Sequence, residues 1–344
     1  MKVTNDEQER QVVSCRNSVK SRIIWIDIAK AICIILVVVG HYIPDVHPAW
    51  YGVMRSVIYS FHMPLFMFAS GFVYIATYRE TSYADFLLRK IKRLMVPYFT
   101  VSVLVITIKL CTQGSAYVEH PVTPLSYLKI FYQPEAGMFL WFIWALWWMF
   151  VIIPFFNTRN SRLALFAISF FLLVTASSLP DIFCLRQFAG MLIYFTAGIV
   201  AYDWRRQLTW VNQVPLIVIL AAFGFVEAMP FVTPINCNGQ LIAFIGIAFV
   251  LKSSFVIGSK ACVGKQKLTI ISSASYIIYL LHTTFEGFAK ALVVKLPYLS
   301  DLSNDTMFII GAIFVISIGV YAPVWIYKHV LGRYRITKIL FGLK

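Results

Sequence analysis

Apolar residues run along this chain in long blocks separated by short, polar and mostly basic stretches. Ten blocks approach or reach the roughly 17 to 25 residues that a helix needs to cross the hydrocarbon of a bilayer. They lie near 23–43, 52–76, 94–110, 138–154, 162–179, 188–202, 215–232, 239–257, 269–290 and 306–328. The sixth is short, and the ninth is interrupted by Ser272, Ser273 and Ser275. The pattern predicts an all-α, polytopic membrane bundle of about ten transmembrane helices.

The loops give this bundle a direction, because Lys and Arg collect on the cytoplasmic side of a membrane. With the N-terminus inside, the cytoplasmic segments carry clusters such as Arg16, Lys20 and Arg22, then Arg89, Lys90, Lys92 and Arg93, then Arg205 and Arg206, and finally Arg333, Arg335 and Lys338. The outer loops carry only Lys129, Arg186 and Lys295. Both termini are therefore expected in the cytoplasm. Residues 1–21 read as a polar tail with no cleavable apolar signal, 22–330 as one transmembrane domain, and 331–344 as a basic tail. In 77–93, Tyr83, Phe86, Leu87 and Ile91 recur at helical spacing opposite a basic face, as in a helix lying along the interface. The outer loop 111–137, with Pro121, Pro124 and Pro134, is a candidate cap for a cavity.

Composition excludes a soluble globule, since 60% of the residues are hydrophobic and only 13% charged. The net charge of +15 does not indicate a nucleic-acid partner, because the basic residues sit where membrane topology puts them. The expected surroundings are membrane lipids, in a cell (inner) membrane. The six cysteines are scattered without CxxC or Cys/His spacing, so they define neither a metal site nor a disulfide framework.

Polar groups inside the spans carry the candidate chemistry, since each is costly in hydrocarbon and faces a protein interior or a watery cavity. The first span holds Asp27, Lys30 and His41. At 100° per residue, Lys30 and His41 share one face about 16 Å apart along the axis. Arg55 and His62 in the second span, Glu227 in the seventh, and His282 and Glu286 in the ninth are expected with His41 in the outer half of the bundle. His41 suits a general base or a nucleophile, but also a helix-end histidine bonded to a carbonyl. Lys30 suits a phosphate ligand or a partner for Asp27 one turn away. The run 89–93 suits either a phosphate site or plain topology signal. His62, Arg55 and His282 could surround the site or only fix packing. The tryptophans of FLWFIWALWWMF read first as packing.

The ordered segments WIDIAKAICIILVVVGH, FHMPLFMFASGF, RKIKRLMVPY, FLWFIWALWWMF and SYIIYLLH resemble the acyltransferase-3 family of integral-membrane acyl transferases. That resemblance implies about ten helices, an acyl-CoA donor, commonly acetyl-CoA, on the cytoplasmic side, no metal, and O-acylation of a sugar or glycan. It places His41 in the catalytic position and Lys30, Lys90 and Arg93 on the donor side; depth along the helices puts Arg55, His62 and His282 around His41, as candidates to support it or to bind the acceptor. The family's basic position in the first helix, often Arg, is Lys30 here, and its Arg-x-x-Arg pair reads Lys90-x-x-Arg93, or Arg89-x-x-Lys92 in the other frame. The competing class is a ten-span secondary transporter or glycolipid flippase, in which the same buried charges would couple protons or line a path. A non-catalytic scaffold would leave Lys30 and His41 in register without a purpose.

Overall fold

The computed structural model describes residues 23–44, 46–114, 120–207, 213–232, 239–259, 263–295 and 305–343. The expected N-terminal tail, Cys15, Cys237 and Cys262 lie outside the described residues. Every predicted apolar block forms a helix, and there is no strand among the described residues. The main helices are α1 (Ile24–His41), α2 (Ala49–Ala76), α3 (Tyr83–Lys90), α4 (Val96–Thr112), α5 (Ser126–Lys129), α6 (Trp141–Ile152), α7 (Arg159–Thr175) and α8 (Leu185–Asp203). They continue with α9 (Leu216–Val232), α10 (Gly239–Ser259), α11 (Val263–Val294), α12 (Asp305–Ile326) and α13 (Arg335–Leu340). Nine helical segments among the described residues are long and apolar enough to cross a membrane, and the short apolar α9 supplies a tenth apolar element. The serines of the ninth block do not break it. α11 runs unbroken for 32 residues, with Ser272 and Ser275 buried against its neighbours.

α1, α2, α10 and α11 pack together at the centre, with α8 behind α2 and α12 behind α11. Small residues let α2 and α8 approach closely, as membrane helices do where apolar burial no longer drives association. A Cβ on Gly71 would lie 1.9 Å from the Phe195 carbonyl oxygen, and one on Gly198 would lie 2.0 Å from that of Phe68. The two glycines thus face each other's helix, and any side chain would force the helices apart. Where α7 starts and α8 ends, Arg162 grips Asp203 through two bonds of 2.8 and 3.2 Å. Outward faces remain apolar, with Phe170, Phe171 and Val174 on α7 and Ile313, Tyr321 and Trp325 on α12 exposed, as lipid contact requires.

The interfacial stretch is α3, capped by Ser82, and it leads into a π-helical turn over Ile91–Met95 before α4. Pro97 has no N–H for the carbonyl four residues back, that of Arg93. The Tyr276 hydroxyl of α11 donates to that carbonyl at 2.8 Å. The stretch expected as a C-terminal tail folds back as α13, burying Phe341. Gly342, with φ at +62°, lies so close that a Cβ would sit 2.9 Å from the same Arg93 oxygen. The described residues of the loop 111–137 are folded too. Tyr98 donates to the carbonyls of Ile130 and Gln133, and Lys129 pairs with Glu135 at 3.2 Å.

Candidate active site

His41 is the last residue of α1, so the carbonyls around it are those a helix C-terminus leaves without N–H partners. Side chains of other helices satisfy them. Tyr51 lies 2.8 Å from the Val39 oxygen and 3.0 Å from that of Tyr42. Gly40 O accepts from Arg55 Nε at 3.1 Å and from the Tyr59 hydroxyl at 3.3 Å. Lys290 Nζ donates to Ile43 O at 2.5 Å. Two of these donors are cationic, which complements the partial negative charge at the end of the helix. Gly40 admits this arrangement because a Cβ there would stand 2.9 Å from the Tyr59 ring.

The His41 ring meets His282 with centroids 4.9 Å apart and planes at 86°. Each of these rings, and that of His62, turns its Nδ1 to a carbonyl of its own helix. His41 reaches Val37 O at 2.8 Å, His62 reaches Ile58 O at 2.8 Å, and His282 reaches Ile278 O at 3.0 Å and Tyr279 O at 2.8 Å. A carbonyl can only accept, so each Nδ1 carries the hydrogen and each neutral ring presents a lone pair at Nε2. The Nε2 of His282 is wholly buried and makes no hydrogen bond. His62 stands one ring further off, packed 4.8 Å from Tyr59, which itself lies 6.2 Å from His41. Arg55 also lies over the Tyr59 ring, at 5.5 Å. Of the residues expected with His41, Arg55 and His62 are held against Tyr59, and His282 is in ring contact with His41 itself. Glu227 accepts at 2.7 Å from Ser60, the neighbour of Tyr59 in α2. Glu286 is buried beside Gly319 and Val38.

One face of α11 links these groups to the other end of the bundle. Ser272 donates to Asp27 Oδ1 at 3.1 Å, Tyr276 to the Arg93 carbonyl, and Tyr279 to the Phe139 carbonyl at 2.5 Å, while His282 touches His41. The spacing i, i+4, i+7, i+10 keeps all four on one stripe. Lys30 lies 3.9 Å from Asp27 and keeps 29% of its side chain accessible. Arg93 is exposed at the same end. Lys90 is placed differently. Its ammonium lies 3.3 Å from the centre of the Phe150 ring, with Phe86 and Tyr74 at 5.2 and 5.9 Å, so it faces an aromatic enclosure rather than the α11 stripe. Beside that enclosure, a cleft of about 280 Å³ is lined by Tyr78, Arg79, Tyr83 and Phe155. Among the described residues no group of His, Cys, Asp and Glu is arranged to hold a metal ion.

The stripe Ser272, Tyr276, Tyr279, His282 was readable as a helical polar face, but the serines look like an interruption when only hydropathy is followed. Phe139, which packs against both histidines at 6.3 and 5.4 Å, carries no signal at all in a run where aromatics occur at nearly every turn. Trp144 and Trp148 of that run serve packing, against Tyr98 and through a bond to the Phe183 carbonyl.

Fold and site together define a multi-pass membrane protein built around a contacting pair of interior histidines. The family model described as an acyltransferase domain matches residues 23–328, and the chain belongs to this acyltransferase-3 family of membrane acyltransferases. That membership displaces the transporter alternative. Two curated relatives are nodulation proteins NolL. The one from Mesorhizobium japonicum is 26% identical over 62% of this chain and 57% of its own length. The one from Sinorhizobium fredii is 31% identical over 43% of this chain and 40% of its own. The match thus spans about half the length of these relatives. No solved structure matches the chain.

Proposed function

We propose that this acyltransferase moves an acyl group, in the first instance acetyl, from acyl-CoA at the cytoplasmic face to a hydroxyl of a sugar or glycan at the outer face, with His41 as the reacting residue. The observation that carries this reading is the α11 stripe, which ties the Lys30 and Arg93 end of the bundle to the His41–His282 pair. The charged head of the donor rests at Arg93 and Lys30, where cations meet phosphate. Lys90 acts one layer behind them, since its ammonium is occupied by aromatic rings. The acyl thioester then reaches up between α1 and α11.

At His41 the Nδ1–H bond to Val37 fixes the tautomer, and the Nε2 lone pair takes the proton of the acceptor hydroxyl. The resulting oxygen attacks the thioester carbon, the C–S bond breaks, and the imidazolium returns the proton to the departing thiolate. The same lone pair could attack the thioester itself and carry the acyl group; a labelled acyl-enzyme trapped in the absence of acceptor separates the two routes. Arg55, His62 and His282 bound the acceptor side. His41→Ala tests the proposal. Acyl transfer from labelled acetyl-CoA to glycan should fall at least about 100-fold, while the protein still inserts and elutes as a single species in detergent. Transfer at the wild-type rate by that variant would sink the assignment.

A further inference from the structure

Phe139 closes the histidine pair on one side. Its ring stands edge-on to His41 at 83° and to His282 at 73°. Three contacts hold it there. The Tyr279 hydroxyl donates to its carbonyl, the Tyr279 ring packs 5.9 Å from its own, and Gly137 lies so near that a Cβ would be 2.6 Å from Phe139 Cε1. The ring sits on the single turn Met138–Leu140 that starts the fourth long apolar span, at the end of the folded outer loop. It offers no proton, charge or hydrogen bond to the reaction. What it contributes is a rigid apolar wall against the two imidazoles.

We propose that Phe139 forms the end wall of the acyl subsite and restricts the donor to short acyl groups. This rests on the reading that transfer takes place at His41. A carbon reacting at that imidazole lies within about 3.5 Å of it. Its alkyl tail must therefore pack against whatever already covers the ring, and on this side that is Phe139. Removing the phenyl ring opens room beside the two imidazoles, and a methylene accepted into an apolar pocket is worth roughly tenfold or more in kcat/KM. The substrate class is thus an acyl-CoA of about two to three acyl carbons in the native protein, extended by truncation at this one position.

The test is competition. Membranes containing the full-length protein and their own glycan acceptors receive equimolar acetyl-, butyryl- and hexanoyl-CoA, and the acyl groups on the glycan are read by mass spectrometry. The native protein should incorporate acetyl predominantly. Phe139→Leu should raise the butyryl-to-acetyl ratio, and Phe139→Ala should raise it further, by about tenfold or more, and admit hexanoyl. Should the alanine variant be lost to misfolding, the leucine variant and Phe139→Trp, which should narrow the range further, carry the same comparison. Equal use of butyryl and acetyl by the native protein, or ratios unchanged across the variants while acetyl transfer persists, overturns the assignment of Phe139 alone. If the native protein transfers no acyl group from any of the three donors, the acyl-CoA reading falls with it.

Discussion

At the scale of single residues, the structure gives Arg55 a definite task, and that task decides what its removal does. Its Nε bonds the carbonyl of Gly40, the residue before His41, at the negative end of α1. A charged donor on a carbonyl contributes about 1.5 to 3 kcal/mol when shielded, and less here because Arg55 is half-exposed. Arg55→Ala should therefore lower the thermal midpoint measured in detergent and also slow transfer, because the backbone carrying His41 loses its anchor. If Arg55 served only to bind acceptor, the midpoint would stay in place and only the acceptor KM would rise. Lys30 shows the converse situation. It lies 3.9 Å from Asp27 and keeps 29% of its side chain accessible, and on the proposed function it meets a donor phosphate there. Substitution with glutamine should raise the KM for acyl-CoA more than it lowers kcat, as steady-state rates over a donor titration would show.

At the scale of elements, α11 is the part that orders the site. The Tyr276 hydroxyl replaces the N–H that Pro97 cannot give to the Arg93 carbonyl, and so ties the π-helical turn to the helix that carries His282. Tyr276→Phe removes one hydrogen bond, a loss of about 0.5 to 1.5 kcal/mol. It should appear as a rise of several-fold in the KM for acyl-CoA with kcat little changed, whereas an equal fall in kcat would mean that the bond shapes the histidine pair instead. The spans themselves were legible in the sequence because hydrocarbon allows no alternative to a long apolar helix. That His41 and His282 lie at one level of the bundle was legible from loop charge and helix rise. Their contact was not, since depth places residues in a layer and says nothing of which helices adjoin. The stripe from Ser272 to His282 was present at helical spacing, but hydropathy alone turns those serines into a weakness of the span. Lys90 and Arg93 look equivalent as letters in a basic motif. Only the fold shows that one is enclosed by Phe150, Phe86 and Tyr74 while the other is exposed.

At the scale of the whole molecule, the separation of the two ends of the stripe sets what has to cross the membrane. Ser272 and His282 are ten residues apart on one helix, about 15 Å along its axis, or half of a hydrocarbon core about 30 Å thick. If the donor is acyl-CoA, its phosphate-bearing head should stay at the Lys30 end, because moving such charge to mid-membrane is far costlier than moving an uncharged acyl group. On the proposed function, sidedness therefore belongs to the products. Sealed inside-out vesicles supplied with labelled acetyl-CoA on the outside, the former cytoplasmic face, should release coenzyme A thiol into the outer medium, where a membrane-impermeant thiol reagent titrates it. The acetyl label should appear on glycan in the lumen. Cysteines placed at Arg79 and Arg335 should react with the same reagent in these vesicles, and cysteines at Lys129 and Lys295 only after permeabilisation, if the loop charges orient the bundle. Thiol released into the lumen would mean that the donor itself crosses. Label confined to the outer face would mean that both substrates meet on the donor side, leaving the distance between Lys30 and His41 with no part in transport of the acyl group.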